Sequence, residues 1–324
     1  MRSPLKLPRL FRPGQESPKP QLPIPFVVGV PRSGTTLLRM MLDEHPDLAI
    51  PAETHFMPEL LRKWREWRDD GVSEDERCQR VIGFLDGFHR RQDWPVTDDE
   101  IAAALKHRPI TPGEAISAVH VAYARKVGKP RWGDKTPQYL RRMQLLQRAI
   151  PNARFIHLIR DGRDVGVSVT GLSWGADTTE EAAEQWVRQI TQARERAATL
   201  QPDTYLEVRY EDLVSDPEPT LSRIAEFIEL PWDPVMLEYH RSAERRVKEW
   251  DHDLERQQGG VITAEERIRQ HRFTTKPPTT ERIGRWKKTM PAEDQQRFEE
   301  IAGSLLDELG YERRFPELGK GNGA

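Results

Sequence analysis

The 324-residue chain carries one cysteine, Cys78. A lone thiol makes no internal disulfide and no cysteine-based zinc site, so oxidative stapling is excluded. Long apolar runs are absent too: nothing approaches the ~18 residues a membrane span needs. The first 24 residues lack the apolar core of a signal peptide. Neither sign of charge dominates, since 50 Lys and Arg stand against 52 Asp and Glu. A general nucleic-acid binder shows a large basic excess, so that class is set aside, although a local basic pocket is not. His240, His252 and His271 have neither metal-ligand spacing nor a cysteine partner, and no metal is expected. The expectation is a soluble, cytoplasmic protein with no membrane span and no nucleic-acid partner.

What is present is enough apolar sequence, 36%, for one large core. Residues 1–24 are rich in Pro, Lys and Arg without periodicity, which predicts a mobile tail. Residues 25–324 are then read as one domain. Pro25-Phe26-Val27-Val28-Gly29-Val30 reads as a buried strand, Pro31 to Thr36 as a turn, and Leu37, Leu38, Met41 and Leu42 as a helix. A second unit of this kind starts at Ala153. Phe155-Ile156-His157-Leu158-Ile159 is the strand, Asp161-Gly162 the break, and Val165 to Val169 the helix. A third strand is predicted at 204–208. Strands interleaved with helices mean an α/β fold with a parallel sheet. Helical periodicity recurs at 56–67, 77–88, 98–105 and 113–127, a helical insertion over about 55–130 that would cap the mouth of the sheet. It returns at 217–229 and 291–309.

Gly29-Val30-Pro31-Arg32-Ser33-Gly34-Thr35-Thr36 has the spacing of a Walker A loop, but Thr35 stands in the lysine position. Such a turn points backbone N–H groups into one hollow at a helix N-terminus, which binds phosphate with or without the lysine. The lysine would add charge on β/γ phosphates, and the hydroxyl that follows would hold magnesium. Here Arg32 supplies the cation and Ser33, Thr35 and Thr36 the hydroxyls. That suits a 5′-phosphate with a different leaving chemistry better than an NTPase. The second unit ends its strand with Arg160, aimed into the crevice where α/β folds bind ligands. Ser168 follows about two helical turns on, and an arginine fork with a hydroxyl can hold one phosphate. Arg163 is expected to be solvated, and an ion pair of Arg160 with Asp161 or Asp164 is the plain alternative for that residue.

Residues 26–45, FVVGVPRSGTTLLRMMLDEH, resemble the 5′-phosphosulfate loop of the sulfotransferase family, and 154–168, RFIHLIRDGRDVGVS, its 3′-phosphate motif. Among the branches the chain is most similar to the tyrosylprotein sulfotransferases and their bacterial relatives. Weaker echoes in family order are Glu53-Thr54, Asp134-Lys135-Thr136-Pro137, the stretch from Val208 to Val214, and Ile283-Gly284-Arg285-Trp286. The resemblance implies a P-loop-type parallel sheet flanked by helices, with the insertion over the donor crevice. It implies 3′-phosphoadenosine 5′-phosphosulfate (PAPS) as co-substrate and in-line transfer of its sulfuryl group to a hydroxyl or amine. Arg32, Ser33, Gly34, Thr35 and Thr36 would hold the 5′-phosphosulfate, Arg160 and Ser168 the 3′-phosphate. Tyr210 would lie near the nucleotide, and Arg285 would close over its phosphates.

Charge builds on the leaving phosphate oxygen in such a transfer, so catalysis is mostly positioning and cationic stabilisation. Arg32 is placed for this by the loop, and Lys135 matches the family segment that carries a catalytic lysine. The histidine that cytosolic relatives use as base is Pro137 here. Glu53 matches the catalytic glutamate of the tyrosylprotein branch, although the branch's preceding Gly-Glu is Pro51-Ala52 and its following arginine is His55. A carboxylate near pKa ~4.3 is a weak base unless burial raises it, which leaves His55 as an alternative. Trp64 and Trp67 with Leu60 and Leu61 are read as core, and Arg62, Lys63, Arg65 and Arg68 as a solvated face. The acceptor stays open among glycan, lipid, small molecule and protein tyrosine, and a homodimer is allowed. Two other readings stay open: a P-loop nucleotide kinase or NTPase, which magnesium-dependent ATP turnover would reveal, and a non-catalytic nucleotide-binding protein on the same fold.

Overall fold

The computed structural model describes residues 21–315 except 68–70, 108, 173–174, 243–247, 256–259 and 272–273. Of the stretch read as tail, 1–20 lie outside the described residues, as does Arg68. Leu22 and Pro23 are tied down: Asn152 donates to the Leu22 carbonyl at 2.7 Å and Arg131 to that of Pro23 at 2.8 Å.

In chain order, β1 (Ile24–Gly29) leads through the glycine turn to α1 (Thr35–Glu44) and the short β2 (Leu48–Ala49). The insertion follows as α2 (Met57–Trp67), α3 (Glu74–Asp86), α4 (Asp98–Ala104) and α5 (Pro112–Lys126). Then come β3 (Arg131–Trp132), β4 (Asp134–Lys135), α6 (Met143–Ala149), β5 (Ala153–Ile159) and α7 (Gly162–Val169). α8 (Thr179–Ala197), β6 (Tyr205–Arg209), α9 (Tyr210–Ser215) and α10 (Pro217–Phe227) complete the sheet region. Sequence chemistry sets these boundaries. Thr97 and Thr111 make reciprocal caps with Glu100 and Glu114 at the starts of α4 and α5, satisfying amides the helices cannot pair themselves.

The main sheet is four-stranded and wholly parallel, in the order β4-β1-β5-β6. Phe26, Val27 and Val28 of β1 are fully buried because both faces of a parallel sheet are covered. The period of two splits them. Phe26 and Val28 pack into the core shared with the insertion helices, and Val27 into the core of α1, α9 and α10. The insertion is therefore continuous with the sheet core. Trp64, Leu60 and Leu61 are buried there, with Trp67 packed against them, while Arg62 and Arg65 are exposed. The two-residue β2, β3 and β4 carry too little pattern to be read from sequence, and β4 forms only through its register with Phe26 and Val27.

Parallel pairing brings the carboxyl ends of β4, β1, β5 and β6 to one edge. Lys135, the turn after Gly29, Arg160 and Tyr210 all follow from that edge. A C-terminal segment covers it, with a helix at Ala264–His271, a loop at 274–282 and a short helix at Trp286–Thr289. The long helix Ala292–Glu308 backs onto α7 and α8.

Arg163 departs from its expected solvation. It is buried, bonded to Asp161 at 2.8 Å and Glu299 at 2.5 Å, with its guanidinium 3.7 Å from the centre of the Trp286 ring. Asp161 is held further by Trp286 Nε1 at 3.1 Å, so this arginine locks α7 to the C-terminal helices. The sequence shows an Arg two residues from an Asp, a pattern that surface pairs share. Only the arrival of Glu299, 136 residues later, makes it a core residue.

Candidate active site

The turn between β1 and α1 holds two residues in the left-handed region, Arg32 at φ 72° and Gly34 at φ 95°. Gly34 is required twice over. A side chain strains that φ, and a Cβ would sit 2.4 Å from the Tyr210 ring. Gly34 caps α1 without a side-chain hydrogen bond, and no acidic residue occupies the first helical turn, so the helix offers its N-terminus to an anion. Ser33 Oγ, Arg32 Nε and Arg160 Nε are buried and lack hydrogen-bond partners. Buried polar atoms are rarely left so, and three around one turn suit an anionic ligand.

Arg160 donates to the carbonyls of Arg32 at 3.2 Å and Arg282 at 2.7 Å. Its guanidinium lies 4.5 Å over the Tyr210 ring and 3.7 Å from Asp164, so the simple ion pair is present alongside the crevice position. Burial and the neighbouring Arg160 lower the pKa of Arg32. Burial, Arg160 and Arg32 push Arg282 down to about 10. Arginines that depress one another in this way gain from an anion placed between them. Arg32, Gly34, Thr35, Thr36, Arg160, Tyr210 and Arg282 line a hollow of about 670 Å³, closed by Thr274 and 277–279.

Ser168 and Arg285 are not in the lining of this hollow. Ser168 is half-buried in the last turn of α7 and is not part of this lining. Six residues at 1.5 Å each carry it roughly 9 Å up the helix from Gly162. Arg285 starts the short helix at Trp286 with an exposed side chain, while Arg282, three residues earlier, lines the hollow. The resemblance singles out Arg285 of Ile283-Gly284-Arg285-Trp286 and is silent on Arg282. The loop that follows Pro277 and Pro278 decides which one faces inward.

A second hollow, about 1250 Å³, adjoins the first, and Arg32, Thr36 and His271 line both. Glu53 and Lys135 lie in it as an ion pair. Lys135 also donates to Thr36 Oγ1 at 3.3 Å, and Glu53 Oε2 meets His55 Nε2 at 2.8 Å. A buried network sets this pair. Asp134 Oδ2 accepts from Thr54 Oγ1 at 2.8 Å, His120 Nε2 at 3.0 Å and Thr136 Oγ1 at 3.3 Å, and Thr54 N donates to Thr136 Oγ1 at 3.1 Å. Glu53 and Lys135 are the immediate neighbours of the residues so tied. Burial by itself would raise the Glu53 carboxyl, but Lys135, His55 and Arg90 outweigh it and hold the group well below the usual carboxylate range. A Glu53 made basic by burial is therefore not what the structure contains.

The rest of this hollow was not read from the sequence. Arg39 of α1 is buried, 2.8 Å from Glu249 and bonded to the Ile50 carbonyl. Asp93 is buried among Arg90 at 3.0 Å, Arg267 at 2.7 Å and His252 at 2.8 Å. Trp250, Leu254 and Ile262 supply an apolar wall. Arg39 had one available signal, a charge on the otherwise apolar face of its helix.

A strand, glycine turn and helix suited to an anion are joined here to a second arginine from the neighbouring strand. The chain matches the model of the sulfotransferase family over residues 23–234, and it belongs to that family. It is 27% identical over 305 residues to protein-tyrosine sulfotransferase A of Caenorhabditis elegans, covering 92% of this chain and 70% of that one. It is 27% identical over 307 residues to the protein-tyrosine sulfotransferase of Drosophila melanogaster, covering 93% of this chain and 54% of that one. Among solved structures, the sulfotransferase domain from the curacin biosynthetic pathway superposes with a TM-score of 0.55 at 21% identity, covering 90% and 99% of the two chains. The sulfotransferase domain of the Synechococcus PCC 7002 olefin synthase gives 0.53 at 24%, covering 90% and 97%. These two are alike in fold. The chain is thus a sulfotransferase acting on an acceptor hydroxyl.

Proposed function

We propose that PAPS occupies the smaller hollow and that the hydroxyl of a protein tyrosine enters the larger one, with transfer at the wall they share. The observation that carries this is the shared lining of Arg32, Thr36 and His271, with the Lys135–Glu53 pair directly beyond it. Arg32, Ser33, Gly34, Thr35 and Thr36 cradle the 5′-phosphosulfate, and Arg160 with Arg282 takes the 3′-phosphate. The unpaired Ser33 Oγ, Arg32 Nε and Arg160 Nε support this assignment. Arg32 and Lys135 offset the charge that builds on the leaving phosphate oxygen, a role in which fixed cations act without reorganising. Ionised Glu53 holds Lys135 and orients the acceptor hydroxyl. The similarity to protein-tyrosine sulfotransferases supports tyrosine, and Trp250, Leu254 and Ile262 give the larger hollow an apolar wall suited to a phenol ring.

The test is transfer of labelled sulfate from PAPS to a panel of tyrosine peptides, simple phenols, glycans and hydroxylated lipids. Transfer to the peptides at the highest kcat/KM supports the tyrosine assignment. Preference for a glycan or lipid replaces the acceptor and leaves the donor site standing. Binding of magnesium-ATP without binding of adenosine 3′,5′-bisphosphate overturns the donor site itself.

A further inference from the structure

Glu53 is poorly suited to take a proton. Its two carboxylate oxygens are engaged by Lys135 and by His55. Protonating it would leave Lys135, itself buried, as an uncompensated cation. A different group stands at the junction of the two hollows. His271 lines both of them, its ring is stacked on Trp250 at 4.2 Å between centroids, and no described residue hydrogen-bonds either ring nitrogen.

We propose that His271 takes the proton of the acceptor hydroxyl, and that it does so only when the donor is bound. This rests on the donor and acceptor hollows being assigned as above. In the step, the acceptor oxygen forms its bond to sulfur and the bond from sulfur to the phosphate oxygen breaks. The electron pair of that bond leaves with the phosphate, and the hydroxyl proton passes to an imidazole nitrogen. The products are the sulfate ester, adenosine 3′,5′-bisphosphate and imidazolium, which later returns its proton to water.

The dependence on donor comes from the charges that face the ring. Lys135 of β4, Arg32 of the glycine turn and Arg39 of α1 meet it as cations, and Glu53 as an anion. Arg267 on its own helix is bound to Asp93. Burial, together with this cationic excess, pushes the imidazole down to about 3. In that state it is neutral but a poor base. The phosphosulfate brings negative charge to the Arg32 side of the same wall, which cancels the excess and raises the proton affinity of the ring. Stacking on Trp250 keeps the ring in place while its charge changes. Proton uptake is thereby confined to the complex in which it is useful, without any movement of the chain.

The experiment is a histidine nitrogen NMR titration of the whole chain, alone and saturated with adenosine 3′,5′-bisphosphate, with His271→Gln used to assign the resonance. The expected result is a rise of at least two pH units in the His271 midpoint on binding. An unchanged midpoint with the nucleotide bound overturns the proposal, and it leaves the donor site intact. Failure of the bisphosphate to bind overturns both. In turnover, H271Q is expected to lower kcat about 100-fold, the lower range of acid–base catalysis, with nucleotide Kd within about threefold of the parent. A tenfold loss of nucleotide affinity with little change in kcat would make His271 a donor-binding residue and refute its role as base. The titration reads the intact protein, so it decides even if the variant folds poorly.

Discussion

Glu53 and Lys135 lie 82 positions apart in the chain and meet as an ion pair in the larger hollow, next to the wall shared with the smaller one. Neither can be changed without altering the other. Glu53→Gln is expected to lower kcat roughly 100-fold by releasing Lys135 from its position, while adenosine 3′,5′-bisphosphate binds as before. Calorimetry with steady-state kinetics reads both. An equal loss of nucleotide affinity would place the pair in the donor site instead.

Arg160 and Arg282 share a hydrogen bond from guanidinium to carbonyl and line the same hollow, whereas Arg285 points to solvent. Arg160→Ala is therefore expected to weaken the 3′-phosphorylated nucleotide far more than its analogue lacking that phosphate. Arg282→Ala should cost about tenfold or more in affinity, the scale of one charged hydrogen bond, and Arg285→Ala no more than about twofold. The reverse ranking of the last two would restore Arg285 as the closing residue.

Gly34 has no room for a methyl group. Gly34→Ala combines a left-handed φ with a contact of 2.4 Å to the Tyr210 ring. A loss of about 1–3 kcal/mol in urea unfolding is expected, with nucleotide affinity falling in parallel because the turn and Tyr210 must separate. Unchanged affinity in a destabilised variant would show that the turn relaxes elsewhere.

Arg163 is a stability residue. Removing it leaves Asp161 and Glu299 buried without their cation, and Arg163→Ala should cost about 3–5 kcal/mol. Arg62→Ala, on the exposed face of α2 and paired with Glu59 and Glu66, should cost less than about 1 kcal/mol. Denaturant curves for the two variants compare a buried with a surface ion pair in one protein.

His157 is fully buried on β5, and burial pushes its pKa down to about 4. The folded state keeps it neutral where the unfolded chain, near 6.5, already binds a proton. Stability is therefore complete above about pH 6.5 and is lost as pH falls toward about 4, by roughly 3 kcal/mol. His157→Gln should flatten that part of the pH–stability curve. A curve as steep as the parent's would assign the acid sensitivity to other groups.

The strands at 25–29 and 155–159 were legible because unbroken apolar runs followed by glycine or Asp-Gly are what a buried parallel strand and its turn require. The insertion helices were legible from period and capping residues. Arg32, Gly34, Thr36, Arg160 and Tyr210 line one hollow together, and Glu53 and Lys135 meet in the next. Arg163 was read as solvated because its local pattern is that of a surface pair, and only Glu299, far along the chain, makes it a core residue. Ser168 and Arg285 do not line the smaller hollow. The sequence determined the anion-binding turn by itself, since Gly34 and the uncapped helix start are local backbone properties. The tertiary structure alone decided the larger hollow. Glu53, Lys135, Arg39, Asp93 and His271 come from five separate segments, and their protonation depends on burial and on charges that no local pattern encodes.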